Sequence, residues 1–260
     1  MSNTGLFIAI CCCLASGCVA PPSATNRERA QALAEHQREL VADRTIILHG
    51  VYYLLSISDD FQSIAMDPAT GNIQAHFSGT KRFSQALAVA IDRRGYFLTS
   101  GHTLSAYNYV IGEFAGGLSI KKTRVVCRFD HSDKCDLAIL KTEEALMYPL
   151  RFASDPKSGD LVFAVVFDKN EQTLGGTRKF SAGVIRGIEP CVHGNLIDST
   201  VPLREGDSGG PMLTPDGLLV GITQGWNYVG NGITGKYTKL SARPEWDIIE
   251  EAIEADLRTH

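Results

Sequence analysis

Between residues 46 and 224 the chain repeats one pattern: a short run rich in Val, Ile, Leu, Tyr and Phe, then a cluster of turn-forming residues. The runs include IILHGVYYLLSI (46–57), ALAVAI (86–91), YFLTS (96–100), TRVVCRF (123–129), LAILK (137–141), DLVFAVVF (160–167), FSAGVIRGI (180–188), GPMLT (210–214) and LLVGITQ (218–224). DPATGN (67–72) and DRRG (92–95) are turns of the kind that separate them. Runs this short read as strands, and about a dozen of them joined by tight turns predict an antiparallel sandwich or barrel. The 25 glycines are scattered, which fits turns and excludes a collagen repeat. A net charge of −4 with no basic block excludes nucleic acid as the expected partner. Residues 58–80, small and polar, fit either a strand pair or a loop over a cleft.

Both ends depart from this pattern. Residues 6–15, LFIAICCCLA, form an apolar run of ten. A spanning helix needs roughly 20 such residues, so this run has the length of a secretory h-region instead. Ala15-Ser16-Gly17-Cys18 follows and is similar to a bacterial lipobox, in which cleavage precedes the cysteine and the cysteine takes the lipid. An ordinary secretory peptide that happens to contain a cysteine is the alternative. Val19, rather than Asp, favours the outer membrane in a host with two membranes. The expected organisation is a signal peptide (1–17), a lipid-anchor linker and helix (18–44) and a folded domain (45–260). PPSATN (21–26) is the linker, and residues 27–43, free of Gly and Pro, are the helix. The expected localisation is the cell envelope after export, with membrane attachment through Cys18 only. At the other end Pro244 opens PEWDIIEEAIEADLRT, a second helix with Trp246, Ile249 and Ile253 on one face and carboxylates in its early turns.

Of seven cysteines, Cys11, Cys12 and Cys13 leave with the signal peptide, and Cys18 is the lipidation candidate. Cys127, Cys135 and Cys191 remain, so at most one internal bridge forms. Cys127 and Cys135 flank a predicted hairpin turn and are the expected disulfide in an oxidising compartment. Three buried small side chains are the alternative. No metal or organic cofactor is expected, since no C-x-x-C or H-E-x-x-H spacing occurs outside the signal segment.

Three segments carry chemistry. GYFLTSGHTL (95–104) is an apolar strand that ends at a histidine, DKCDLAILK (133–141) sets an aspartate before an apolar strand, and REGDSGGPM (204–212) sets a serine in a glycine-rich turn. They resemble the three active-site segments of the chymotrypsin/trypsin-fold serine proteases, the first two nearest the bacterial Deg/HtrA-like branch. The resemblance spans roughly residues 45–255. It implies an all-β fold of two six-stranded antiparallel barrels, here with a C-terminal helix and an N-terminal helical stalk. It also implies a triad of His102 as general base, Asp136 as its orienter and Ser208 as nucleophile. A serine hydroxyl needs an imidazole to take its proton, and the imidazole needs a carboxylate to fix its tautomer. The oxyanion donors implied are the backbone N–H groups of Gly206 and Ser208. Gly209 and Gly210 are expected to leave the site open to the substrate chain. Asp130 and Asp133 compete for the orienting role, but Asp136 directly abuts the LAIL run, as in the family.

GDSGG also satisfies the G-x-S-x-G elbow of α/β-hydrolases, which requires a histidine after the serine and a strand–turn–helix setting. The only later histidine is His260, the last residue, and the serine is followed by further strand-like runs. In the family the residue six before the serine floors the specificity pocket. Here it is Pro202, so no preference for Arg or Lys on the acyl side is implied. The implied substrate-binding residues are Pro202, Leu203, Thr223, Gln224, Gly225 and Trp226, the last four on an edge strand that pairs with the substrate backbone. No Arg-Ile-Val-Gly-Gly activation sequence occurs, so Asp207 is expected to have a partner other than a newly cut N-terminus, which the sequence does not name. No stretch for the PDZ domain of many Deg/HtrA-like proteins follows the last helix, so a bare protease domain on a tether is expected. The implied function is serine endopeptidase activity on protein or peptide substrates. The alternative is a trypsin-fold binding or scaffold module of weak or absent activity.

Overall fold

The computed structural model describes residues 47–57, 61–66, 73–77, 83–114, 117–129, 136–153, 155–167, 178–191, 194–229, 232–240 and 245–259. The expected signal peptide, Cys18, the linker and stalk helix, Asp130, Asp133 and Cys135 lie outside these residues. In chain order the strands are β1 (Val51–Ile57), β2 (Phe61–Met66), β3 (Ile73–Phe77), β4 (Phe83–Asp92), β5 (Tyr96–Ser100), β6 (Tyr107–Phe114), β7 (Gly117–Arg128) and β8 (Leu137–Lys141). They continue with β9 (Leu161–Phe167), β10 (Arg178–Cys191), β11 (Gly194–Ser199), β12 (Pro211–Leu213), β13 (Leu219–Val229) and β14 (Gly232–Lys239), and end in helix α1 (Glu245–Thr259).

Twelve of the strands close two antiparallel barrels of six, in the orders β1-β4-β5-β8-β7-β6 and β10-β11-β14-β13-β12-β9. Closure pairs most of the strand edges of the two barrels and so removes most open sheet edge. β2 and β3 form a separate pair, with Ile64 opposite Ala75, so the described parts of residues 58–80 are paired strands.

Side-chain alternation explains how the barrels meet. Along β4, Ala86, Ala88 and Ala90 face the interior of the first barrel, while Leu87, Val89 and Ile91 face outward. Along β5, Phe97 points inward beside Tyr52, whereas Tyr96 and Leu98 point outward. On β4 small residues thus face a lumen filled by Tyr52, Phe97 and Phe114, and large ones build the seam between barrels. Leu87, Val89, Leu98 and Ile139 meet Val165, Leu213, Leu219 and Ile222 of the second barrel there. The interior of the second barrel is separate, built on Val162, Ala164, Val166, Ile185, Ile197 and Tyr237.

Helix α1 seals one end of the seam. Ile249 and Ile253 are buried in it and Trp246 packs against Phe152, so the expected apolar face is the one that docks. Each buried isoleucine contributes roughly 1.5–3 kcal/mol. Asp256, 8% exposed, fixes the helix polar-side: it accepts both Arg124 guanidinium nitrogens at 2.6 Å and the Tyr96 hydroxyl at 2.9 Å. Cys127 on β7 forms no disulfide with another described residue, and its expected partner, Cys135, lies outside the described residues. The Cys127 side chain is half-buried against the seam, which suits a small apolar residue, and that burial pushes its thiol pKa up.

Candidate active site

The β5 strand ends at Ser100 and turns at once into a single 3₁₀ turn, Gly101–Thr103, which carries His102 out of the core. The turn is tied down from below: the Thr103 hydroxyl donates to the Ser100 carbonyl at 2.7 Å. The His102 side chain is 38% exposed. Asp136, just before β8, is 1% exposed and holds a φ of 28°, in the left-handed region that aspartate tolerates better than most residues. Two contacts hold it there. Its carbonyl accepts the Gly101 N–H at 3.2 Å, and its Oδ1 accepts the His102 backbone N–H at 2.8 Å. Its other oxygen, Oδ2, is hydrogen-bonded to His102 Nδ1. The remaining ring nitrogen, Nε2, faces Ser208 Oγ at 3.1 Å. The three residues singled out in the sequence are therefore in contact, in the order carboxylate, imidazole, hydroxyl.

Ser208 stands on a turn built by conformation rather than by side-chain packing. Gly206 has φ 96°, which an L side chain rarely adopts, although a Cβ there would meet only the Phe167 ring at 3.5 Å. Gly209 has φ 78°, and a Cβ there would lie 2.0 Å from the Leu87 carbonyl oxygen. A Cβ on Gly210 would lie 2.9 Å from the Val165 carbonyl oxygen. These last two glycines are buried, so they do not open the site to substrate; they let the turn press against β4 and β9.

Asp207, 1% exposed, gains the partners that the sequence left unnamed. Its Oδ1 accepts the Phe167 N–H at 2.9 Å, and its Oδ2 accepts the Arg204 N–H at 2.7 Å. Two backbone donors thus satisfy a buried carboxylate. The same carboxylate locks the turn to the end of β9, directly under Gly206. Sequence reasoning also missed Ser100. Its hydroxyl donates to the Thr223 carbonyl and accepts the Gly209 N–H at 3.0 Å, stitching the first barrel to the Ser208 turn of the second. A small polar residue closing an otherwise apolar strand was the available signal.

The expected substrate-binding set divides. Leu203 is 1% exposed and packs into the interior of the second barrel as a core residue. Thr223 is equally buried, and its N–H donates to the Gly210 carbonyl at 2.8 Å. Pro202 is exposed, and Gln224 and Gly225 are half-buried. The Gln224 side-chain amide donates to the Thr238 hydroxyl at 2.5 Å. Trp226 is placed by strand register opposite Gly235. β12 pairs with β13 only as far as Ile222, so beyond that point β13 is paired with β14 alone among the described strands. Beside the triad lies a cleft of about 500 Å³ lined by Ser84, Gln85, His102, Thr103, Glu205, Gly206 and Ser208. Ser84, Gln85, Thr103 and Glu205 were not among the expected site residues.

Two closed six-stranded barrels with a histidine, a buried aspartate and a serine at their junction define the chymotrypsin-like class. The family of trypsin-like peptidase domains matches residues 86–222, a stretch holding all three residues, and the chain belongs to that family. Over 142 residues it is 28% identical to the serine endoprotease DegS of Salmonella typhimurium, covering 52% of this chain and 37% of that protein. Over 178 residues it is 27% identical to the "Probable periplasmic serine endoprotease DegP-like" of Bartonella henselae, covering 64% of this chain and 33% of that one. The chain thus spans well under half the length of these relatives. A serine endoprotease from Yersinia pestis shares the fold with a TM-score of 0.57 at 20% identity, over 79% of this chain and 63% of that one. The Rv3671c protease of M. tuberculosis in its active form does so with a TM-score of 0.55 at 18% identity, over 77% and 81%.

Proposed function

We propose that this chain is a serine endopeptidase that hydrolyses peptide bonds through an acyl-enzyme. Ser208 Oγ attacks the scissile carbonyl while His102 Nε2 takes its proton. Asp136 holds the imidazole in the required tautomer and stabilises the imidazolium. The N–H groups of Gly206 and Ser208 receive the oxyanion. His102 then protonates the departing amine, and a water molecule repeats the sequence to release the acid. The acyl half of the substrate pairs with the open edge of β13 around Gln224 and Gly225. The observation that carries this reading is the imidazole bridging a buried carboxylate and a serine hydroxyl 3.1 Å away. The second support is the Asp207 anchor, which holds the oxyanion turn without a newly cut N-terminus.

A fluorophosphonate probe tests it. Wild type should be labelled at Ser208, and Ser208→Ala should neither label nor cleave a casein substrate, with turnover lower by about 10⁶. Absence of labelling in folded wild type would refute the reading and favour a binding module.

We further propose that the protein is exported and that Cys18 carries the lipid. The ten-residue apolar run ahead of a small-small-Cys sequence supports this, as does the Bartonella henselae relative named as a probable periplasmic endoprotease. Intact mass of the membrane-extracted protein should correspond to a chain beginning at acylated Cys18. A mass for a chain cut elsewhere, without acyl groups, would reject it.

A further inference from the structure

The cleft beside the triad is lopsided in charge. Among the described residues lining it, Glu205 is the single carboxylate, and His102 is the only other ionisable group. Glu205 is exposed and directly precedes Gly206, so its charge stands at the oxyanion turn. On the proposed reading the acyl half of a peptide lies along β13. The departing half must then leave over the opposite wall, where Ser84 and Gln85 of β4 stand exposed.

β4 has the geometry to receive it. The Leu87 N–H donates to the Ser208 carbonyl at 2.8 Å, so on this strand it points away from β1 and toward the nucleophile. Strand residues repeat their direction every second position, so the N–H and C=O of Gln85 point the same way, into the cleft. Ser84 is fixed as the floor of that wall by its hydroxyl, which donates to the Thr103 carbonyl at 2.9 Å. An extended departing segment that adds to this edge lies in the cleft that Glu205 also lines.

We infer that Glu205 makes this enzyme prefer a Lys or Arg at the second residue after the cleaved bond. The inference rests on the peptidase reading and adds a substrate class to it. A cation there gains the attraction of the carboxylate, and an acidic residue there meets a like charge. For a solvent-accessible pair the effect is modest, about two- to fivefold in kcat/KM, and screened by salt.

The test uses pairs of peptides identical except for Lys or Glu at the second residue after the bond. The ratio of their kcat/KM values is measured for wild type, Glu205→Gln and Glu205→Lys. A ratio within one variant cancels any change in overall activity. Wild type should favour Lys, Glu205→Gln should bring the ratio close to one, Glu205→Lys should invert it, and added salt should shrink the wild-type ratio. A wild-type ratio of one, or a ratio that survives Glu205→Gln, overturns the inference; if the probe still labels Ser208, the peptidase reading stands. No cleavage and no labelling overturns both.

Discussion

The first barrel presents His102 and Asp136 from strand ends whose residues are buried, whereas the second presents Ser208 from a turn outside any strand. On the first side the backbone is set by packing: YFLTS is buried along its whole length, and the LAIL of β8 is too. On the second side the backbone is set by two glycines at positive φ and one buried carboxylate that grips two N–H groups. Changes in the first barrel's half should therefore alter chemistry without moving the scaffold. Changes in the second barrel's half should displace the oxyanion donors themselves.

The sharpest break of that contrast is Asp136→Asn. Asparagine is nearly isosteric and also tolerates the left-handed region, so the fold should survive. It cannot stabilise an imidazolium and favours the wrong tautomer, so kcat should fall by about 10⁴ with little change in melting temperature. Steady-state kinetics beside a thermal melt would check it. A loss of a few degrees together with full activity would show that Asp136 is structural.

On the other side, Gly206→Ala should lower kcat by about 10²–10³ while KM changes little, because donors to the oxyanion act mainly in the transition state. The cause would be conformational, since a Cβ at φ 96° is strained although the space around it is open. Asp207→Ala should give a similar kinetic loss and in addition destabilise the fold by about 1–3 kcal/mol, because two part-buried N–H groups lose their acceptor. If either variant kept full kcat, the oxyanion turn would not depend on this conformation, and the contrast between the barrels would fail.

How much of this was legible in the sequence follows the same divide. The strands β4, β5, β8 and β9 are continuous apolar runs and could be read directly. β6, β11 and β14 could not, because YNYVIGEF, GNLIDS and GITGKYTK mix glycine and polar residues and owe their extended form to the neighbours that close each barrel. The positions of His102, Asp136 and Ser208 were legible because each sits at a fixed place beside an apolar run or a glycine turn. The partners of Asp207 were not, since they are backbone N–H groups, one of them 40 residues away, and any sequence supplies those. The resemblance implies Leu203 as a pocket residue, but position along the chain says nothing of direction, and its side chain turns into the second barrel.

A third region sharpens the comparison by lying outside the site. Asp256 clamps α1 to β5 and β7 of the first barrel through Tyr96 and Arg124. Asp256→Ala leaves a buried hydroxyl and a part-buried guanidinium without their acceptor and should cost about 2–3 kcal/mol. For a domain of this size that corresponds to a fall in melting temperature of roughly 5–10 °C. Below the new transition kcat/KM should stay at the wild-type value, because α1 contributes no residue lining the cleft. A rate loss at 25 °C in proportion to the stability loss would mean that the seam transmits strain to the triad.

The smallest expected effect is a pH dependence from the same clamp. Burial first, and then the bond to Asp256, push the Tyr96 hydroxyl up to about 12, against roughly 10 in an unfolded chain. Its folded-state value is the higher one, so the folded chain holds the proton more tightly. Its stabilisation is therefore fully present below pH 10 and is lost as pH rises from 10 toward 12, by at most about 2–3 kcal/mol. Arg124 keeps its charge over this window, because Asp256 raises its pKa further from an already high value. Tyr96→Phe removes the titrating group and should start from a lower urea midpoint at pH 8. Its midpoint should then fall less between pH 10 and 12 than that of wild type, so the two curves converge. Parallel curves would place the alkaline transition elsewhere, and Tyr237, buried in the interior of the second barrel with its hydroxyl also pushed upward by burial, would be the next residue to substitute.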